Sequence, residues 1–185
     1  NDITATVTIP SNKGDQTVTG ITGTVGTTVE VDVPEVSGYT PDKTTVPATV
    51  NPDGTITVDK ATGTVTYTPQ TQTATFTVPT TPQTATTGLV TDPEKQQLTI
   101  AVTGKTDEPI EVPVPVITGY TADKTSLTVI IDGNGQATTT DQVTYTPNTV
   151  TLTVNDVDQN DGDKVVGTTT YTGTTDRSIT DFVPQ

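Results

Sequence analysis

The sequence predicts a mainly β protein with little or no helix, and three observations lead to that prediction. Thr makes up roughly a quarter of the chain, far above ordinary globular usage. Several stretches alternate Thr with Val or Ile, which is the period of a strand with one buried face. No stretch shows the 3.6-residue period of an amphipathic helix, and the frequent Pro and Thr would oppose one.

Composition and charge limit the classes of function. The chain has 185 residues, a net charge of −14, and no Cys, His, Met or Trp. Since Cys and His, which supply much of catalytic and metal-binding chemistry, are absent, we expect no enzymatic activity and no cofactor other than Ca²⁺. The excess negative charge disfavours nucleic acid, which binds through Lys and Arg. No apolar run approaches the about 20 residues that span a bilayer, so we expect no membrane insertion.

Disorder is the alternative interpretation of such a chain. Mucin-like stalks and other disordered segments are also acidic, poor in aromatic residues and rich in Thr and Pro. The alternating strands favour a folded protein, because a disordered segment needs no such period. The first example is Val29, Val31 and Val33, which point to one side of a strand while Thr28, Glu30 and Asp32 point to the other.

An internal repeat is found when the chain is aligned with itself. Residues Gly38–Thr44 (GYTPDKT) recur as Gly119–Thr125 (GYTADKT), and each copy is followed by VTYTP, at Val65–Pro69 and at Val143–Pro147. A segment that begins with Thr-Gly and ends in Pro occurs three times, at Thr22–Pro34, Thr103–Pro115 and Thr172–Pro184. The opening strands are aligned as Ala5–Thr8, Ala74–Thr77 and Val150–Thr153.

These matches predict tandem small β-sheet modules in an elongated arrangement. The first repeat covers residues 1–71, the second covers 72–148, and 149–185 is the front half of an incomplete third repeat. The turn sequences Asn51–Gly54 and Asp132–Gly135 predict a hairpin in each full repeat, because their glycines allow φ > 0. Residues Pro34–Ser37 can hold one short helical turn.

The ordered set of motifs resembles the MucBP/Mub-type repeats of mucus-binding surface adhesins from lactobacilli and related Gram-positive bacteria. The motif residues are Thr22, Gly23, Gly26, Pro34, Gly38, Tyr39 and Tyr67 in the first repeat, and Thr103, Gly104, Pro115, Gly119, Tyr120 and Tyr145 in the second. The resemblance implies a β-grasp-like module that is exported and displayed in many copies at the cell wall. The chain departs from the family pattern in two ways. It lacks an amphipathic helical segment, and its second repeat has Asp107 where the first repeat has Gly26.

The candidate binding residues recur at equivalent positions of the repeats. Tyr39 and Tyr120 are candidates because aromatic rings stack on sugars, although a chain with few large side chains also needs Tyr for its cores. Asp42, Lys43, Asp123 and Lys124 are candidates for a polar receptor patch, with a simple surface turn as the alternative.

One segment resembles a cation-binding turn. Residues 155–163 place oxygen-bearing side chains at alternating positions, as Ca²⁺ requires. The candidate ligands are Asp156, Asp158, Asn160, Asp161 and Asp163. The glycine lies one place late for an EF-hand loop and no closing Glu follows, so a solvated turn is the alternative.

Two functions remain open at this point. The first is the repeat region of an extracellular, cell-wall-anchored adhesin, monomeric in a longer array, that binds mucin or other host glycoproteins by weak multivalent contacts. The alternative is a structural stalk whose repeats project another domain, adhesive or carbohydrate-active, from the cell wall.

Overall fold

The computed structural model describes residues 1–78 and 99–176, and these form a mainly β protein built of small antiparallel sheets. The predicted fold class is therefore confirmed at this level. The strands in chain order are β1 (Asp2–Ile9), β2 (Gln16–Thr24), β3 (Thr28–Asp32), β4 (Tyr39–Pro41), β5 (Thr45–Val50), β6 (Ile56–Val58), β7 (Tyr67–Pro69), β8 (Thr71–Thr77), β9 (Thr99–Lys105), β10 (Pro109–Pro113), β11 (Tyr120–Ala122), β12 (Ser126–Ile131), β13 (Ala137–Thr138), β14 (Tyr145–Pro147), β15 (Thr149–Asp158) and β16 (Lys164–Thr174).

The chain divides into two compact units. The first consists of Asn1–Ala74, Thr103–Pro109 and Ile130–Thr138. The described residues of the second are 75–78, 99–102, 110–129 and 139–176. The first unit therefore includes two short segments from the region that the sequence predicts as the second repeat. The end of the predicted third repeat, residues 177–185, lies outside the described residues.

The strands pair in the same pattern along the chain. Hairpin pairs are β1–β2, β8–β9 and β15–β16; three-stranded sheets have the orders β3-β5-β6 and β10-β12-β13; two-stranded ribbons are β4–β7 and β11–β14. Both predicted hairpins are confirmed. Val50 pairs with Ile56 across the Asn51–Gly54 turn, and Ile131 pairs with Ala137 across the Asp132–Gly135 turn.

The core of the first unit consists almost entirely of β-branched side chains. Its fully buried members are Val7, Ile9, Val31, Val46, Val50 and Val65, joined by Ala48, Ile56 and Tyr67. The predicted alternation in β3 is confirmed, because Val31 is buried while Glu30 and Asp32 are exposed. Thr occupies the outward positions, where its hydroxyl remains accessible to water and its methyl group suits the pleated surface.

A buried tyrosine anchors the last strand of each ribbon. The Tyr67 hydroxyl donates a hydrogen bond of 2.6 Å to the Pro34 carbonyl, and the Tyr145 hydroxyl donates one of 2.7 Å to the Pro115 carbonyl. Burial raises the pKa of Tyr67, and burial together with the nearby Asp123 carboxylate raises the pKa of Tyr145 to about 12. Both rings therefore belong to the core and not to a surface.

The sequence alignment of the third opening strand is wrong by two residues. Val150 pairs with Gly173 in β15–β16, as Ile3 pairs with Gly23 in β1–β2. Val150 therefore corresponds to Ile3 and not to Ala5. A strand with a period of two keeps the same face pattern when it slides by two residues, so only the cross-strand pairing could decide its register.

The helical turn also lies elsewhere than predicted. Residues 34–37 form no helix, and the chain turns there through a hydrogen bond of 3.0 Å from Tyr39 N–H to the Val36 carbonyl. The one helix of the described residues is α1 (Lys60–Gly63), which begins where the Asp59 side chain accepts the Ala61 N–H at 2.7 Å. Asp is a preferred N-cap residue, and this cap was missed because the segment reads equally well as a turn.

Alkaline titration tests the buried environment of Tyr145. The pKa of Tyr145 in the folded chain is about 12, above the pKa of about 10 of an unfolded tyrosine. The protonated Tyr145 side chain therefore contributes to the free energy of unfolding below pH 10. That contribution decreases as the pH rises through 12. We expect phenolate absorbance to show a late ionisation that Tyr145→Phe removes while circular dichroism still reports a folded chain. Ionisation of every tyrosine near pH 10 in the folded protein would contradict this.

Candidate functional site

A concave surface of the first unit lies around Gly38–Pro41. It is an open pocket of about 420 Å³, lined by Val33, Glu35, Val36, Ser37, Gly38, Tyr39, Thr40, Pro41, Thr44 and Gln70. Backbone groups, hydroxyls, one carboxylate and one aromatic ring share its lining. Such a mixture suits a polar ligand better than an apolar one.

Tyr39 is held in this pocket by two charged neighbours of the same unit. Its hydroxyl donates to Asp107 Oδ2 at 2.7 Å and accepts from Lys13 Nζ at 2.8 Å. Lys13 Nζ also lies 4.1 Å from the centre of the Tyr39 ring and 3.6 Å from Asp107 Oδ2. The hydrogen bond with Tyr39, with help from the Asp107 carboxylate and against the effect of desolvation, raises the pKa of Lys13. With an ammonium on one face, at most one ring face of Tyr39 is left for a sugar.

Tyr120, the equivalent residue of the second unit, has almost no exposed ring. Its side chain is buried to 6% exposure, and its hydroxyl donates to Asp176 Oδ2 at 2.9 Å. Both candidate tyrosines therefore bind an aspartate that lies more than fifty residues further along the chain. Sequence reasoning identified the tyrosines as candidates but missed these partners.

The two aspartates lie in turns of equal geometry, Thr106–Asp107 and Thr175–Asp176, here called the Thr-Asp turns. Asp107 and Asp176 have φ values of 58° and 59°, the left-handed region that Asp tolerates better than most residues. The equivalent residue of the first repeat is Gly26, with φ 83°. A comparison of the three aligned positions would have shown that only two of them carry a side chain able to accept a hydrogen bond.

Each Thr-Asp turn binds the residue that follows a Tyr-Thr-Pro strand. Thr106 N–H donates to the Gln70 carbonyl, and Thr175 N–H donates to the Asn148 carbonyl, both at 3.0 Å. The two Thr hydroxyls donate to the same carbonyls, both at 3.2 Å.

Close packing of a glycine completes each arrangement. A Cβ added to Gly38 would lie 2.7 Å from the Thr106 side chain, and one added to Gly119 would lie 2.6 Å from Thr175. The glycine of each Gly-Tyr pair is therefore needed for close approach as well as for its positive φ.

The Asp-Lys pairs mainly hold the neighbouring strand. Asp42 N–H donates to the Thr66 carbonyl and Asp42 Oδ1 accepts the Thr66 N–H, both at 2.9 Å. Asp123 makes the same two bonds, both at 2.9 Å, with Thr144. Lys43 Nζ donates to the Thr64 carbonyl at 2.6 Å, whereas Lys124 Nζ lies 3.5 Å from Asp141 Oδ1.

The candidate Ca²⁺ ligands lie in and beside the β15–β16 turn. Asp158 Oδ1 accepts the Asn160 N–H at 2.8 Å, and Asp161 pairs with Lys164 at 3.6 Å. Asp163 has a φ of 58°, and a Cβ on Gly167 would lie 2.9 Å from Asp156 Oδ2. Within the described residues, no three Asp, Glu, His or Cys side chains are placed to hold one ion. The oxygens that alternate in sequence are thus used separately in the turn.

The role of Asp42 can be tested with two substitutions. Asp42→Ala leaves the Thr66 N–H without its side-chain acceptor, so we expect the free energy of unfolding to decrease by about 0.5–1.5 kcal/mol. Asp42→Asn retains an acceptor oxygen and should lose less. The measurement is urea unfolding of both variants beside the wild type. Equal losses for Ala and Asn would show that the charge and not the hydrogen bond is important.

Comparison with known proteins identifies no relative: no family model, no curated protein and no solved structure matches the chain. The resemblance to MucBP/Mub-type repeats therefore rests on the sequence motifs alone. No helix among residues 1–78 and 99–176 has the length and apolarity that a bilayer crossing demands.

Proposed function

We propose that the chain is part of the repeat region of an extracellular, cell-wall-anchored protein and that its tandem β-grasp-like repeats act mainly as a spacer. The observation that carries this proposal is the recurrence of one contact, in which a Gly-Tyr pair and the residue after Tyr-Thr-Pro bind a Thr-Asp turn. It occurs once in each unit, through Tyr39 and Asp107 and through Tyr120 and Asp176.

The contact lies at the predicted repeat boundaries. Gln70 and Asn148 directly follow Pro69 and Pro147, where the sequence predicts the repeat boundaries. Their N–H groups donate to the Gly38 and Gly119 carbonyls, both at 2.8 Å, and their own carbonyls accept from the Thr-Asp turns. A residue bonded on both sides has little freedom to rotate, so within each unit the contact fixes the end of one predicted repeat against the start of the next.

The hydrogen bonds of the candidate binding residues also favour a spacer function. Tyr120, Asp42 and Asp123 use their polar groups in contacts within their own units. Residues that bind a partner usually offer polar groups or ring faces to solvent, and these three offer few. Each repeated sheet is small, so the length of a spacer built from these repeats depends on the number of repeats.

Spin-label distances test the spacer function. The chain contains no Cys, so Thr28→Cys in β3 and Thr138→Cys in β13, both exposed and both in the first unit, provide a unique label pair. We expect a narrow distance distribution in the otherwise unchanged chain. A distribution as broad as that of a flexible linker would refute the spacer proposal.

Asp107→Gly in the labelled chain tests the contact itself. Gly tolerates the positive φ at this position, as Gly26 does, so the variant removes the carboxylate without backbone strain. We expect the distance distribution to broaden. The matched control is Asp107→Asn, which keeps an oxygen acceptor for the Tyr39 hydroxyl and should broaden it less.

Binding of mucin or other host glycoproteins is the second candidate function, and the pocket at Gly38–Pro41 is the observation that favours it. One such pocket would bind weakly, and many copies would supply avidity. Its polar lining suits glycan hydroxyls, and Glu35 adds the one carboxylate.

Filling the pocket tests this second function. Thr44→Trp places a large side chain at an exposed residue of the pocket lining, and Thr19→Trp places one on exposed β2 away from it. If the pocket binds, retention of the protein on immobilised mucin should decrease several-fold for Thr44→Trp alone. Equal retention of both variants and the wild type would exclude the pocket.

A further inference from the structure

The β15–β16 hairpin carries most of the large apolar side chains that are exposed in the described residues. They are Val150, Leu152, Val157, Val165 and Val166. Val150, Leu152 and Val154 alternate along β15, so they share one face of the hairpin. A contiguous exposed apolar face on a soluble β protein marks a surface that a partner covers.

Paired threonines fix which positions of the three hairpins are equivalent. Thr4 and Thr22 bond through their hydroxyls at 2.8 Å, as do Thr73 and Thr103, and Thr151 pairs with Thr172. By this register Leu152 corresponds to Ala74, and Val154 corresponds to Val7 and Phe76.

Exposure differs sharply between these equivalent positions. Leu152 is 43% exposed, whereas its equivalents are less exposed: Ala5 is half-buried and Ala74 is 8% exposed. Val154 is half-buried, whereas Val7 and Phe76 are 0% and 6% exposed. The third hairpin therefore has an apolar face like those of the other two hairpins, but this face is more exposed to solvent.

In the first unit, side chains from later strands pack on the apolar face of the β1–β2 hairpin. Val46, Val50, Ile56 and Val65 pack with Val7 and Ile9 in one core, and all four come from residues 28–69. Gly23 makes room for this segment, since a Cβ there would lie 2.6 Å from Val50 and 2.7 Å from Val29. Gly173 occupies the same register position in the third hairpin, and its lack of a side chain there is called the Gly173 notch.

We propose that the face of β15–β16 formed by Val150, Leu152 and Val154 is a docking surface for a β-strand segment with the chemistry of residues 28–69. That chemistry is Val or Ile at alternate positions, able to add strands and to fill the Gly173 notch. A second whole copy of the chain is a poorer occupant, because two chains of net charge −14 repel each other. The inference does not depend on the spacer function, since its experiment measures solvent access to position 152 and not the distances that the Thr-Asp turns hold.

Thiol labelling of the full-length chain tests this docking surface. The probe is a synthetic peptide of residues 28–69, added in excess to Leu152→Cys protein. The matched control is Thr151→Cys, whose side chain lies on the opposite face of the same strand. We expect the peptide to slow alkylation of Cys at position 152 about tenfold or more and to leave position 151 nearly unchanged. Gly173→Val should abolish the protection by filling the notch.

The remaining outcomes would overturn the proposal. Unchanged alkylation at position 152 at saturating peptide would show that the face does not accept this segment. Equal protection by a scrambled peptide of the same composition would reveal only non-specific adhesion. Protection that depends on protein concentration without peptide, together with dimers in sedimentation, would assign the face to a second copy. A broad spin-label distribution in the spacer experiment affects none of these readings.

Discussion

The shortage of large apolar side chains is the constraint on which this structure depends. Only 29% of the residues are hydrophobic and 4% are aromatic, so each small core is made mainly from Val and Ile with one or two buried tyrosines. β-branched side chains lose little rotamer freedom in strands, which makes strands the least costly way to bury them. The tyrosine adds area and a directed bond, because its hydroxyl reaches a proline carbonyl outside the ribbon. These two bonds hold the final strand of each ribbon where Val alone would leave it free to slide.

The same positive-φ turn occurs at three equivalent positions, and its role depends on which residue occupies it. Gly26, Asp107 and Asp176 all adopt positive φ, and the N–H groups of Gly26 and Asp107 donate to Val50 and Ile131 carbonyls at 2.9 Å and 2.8 Å. The turn itself therefore requires no carboxylate. Asp at two of the positions adds an acceptor for a tyrosine hydroxyl, at the cost of a less favourable backbone conformation. A residue that is unfavourable locally indicates a tertiary role, and here that role is the contact with the Gly-Tyr pair.

The candidate residues are mostly used within their own units. Asp42 and Asp123 satisfy strand backbone groups, Tyr120 is covered, and one face of Tyr39 lies under Lys13. Two surfaces of the described residues are candidates for a partner: the pocket at Gly38–Pro41 and the apolar face of β15–β16. The first is polar and the second apolar, so they would select different partners.

The sequence alone determined the mainly β class, the outward Thr and inward Val of the strands, and the two hairpin turns. These depend on local alternation and on glycine conformations that the residues themselves specify. The sequence could not determine the register of β15, because a pattern with a period of two matches itself after a shift of two residues. It also could not determine the partners of Tyr39 and Tyr120, which lie more than fifty residues away. Only the tertiary structure decided these, because the distance between a tyrosine and an aspartate depends on how the sheets pack and not on the residues around either one.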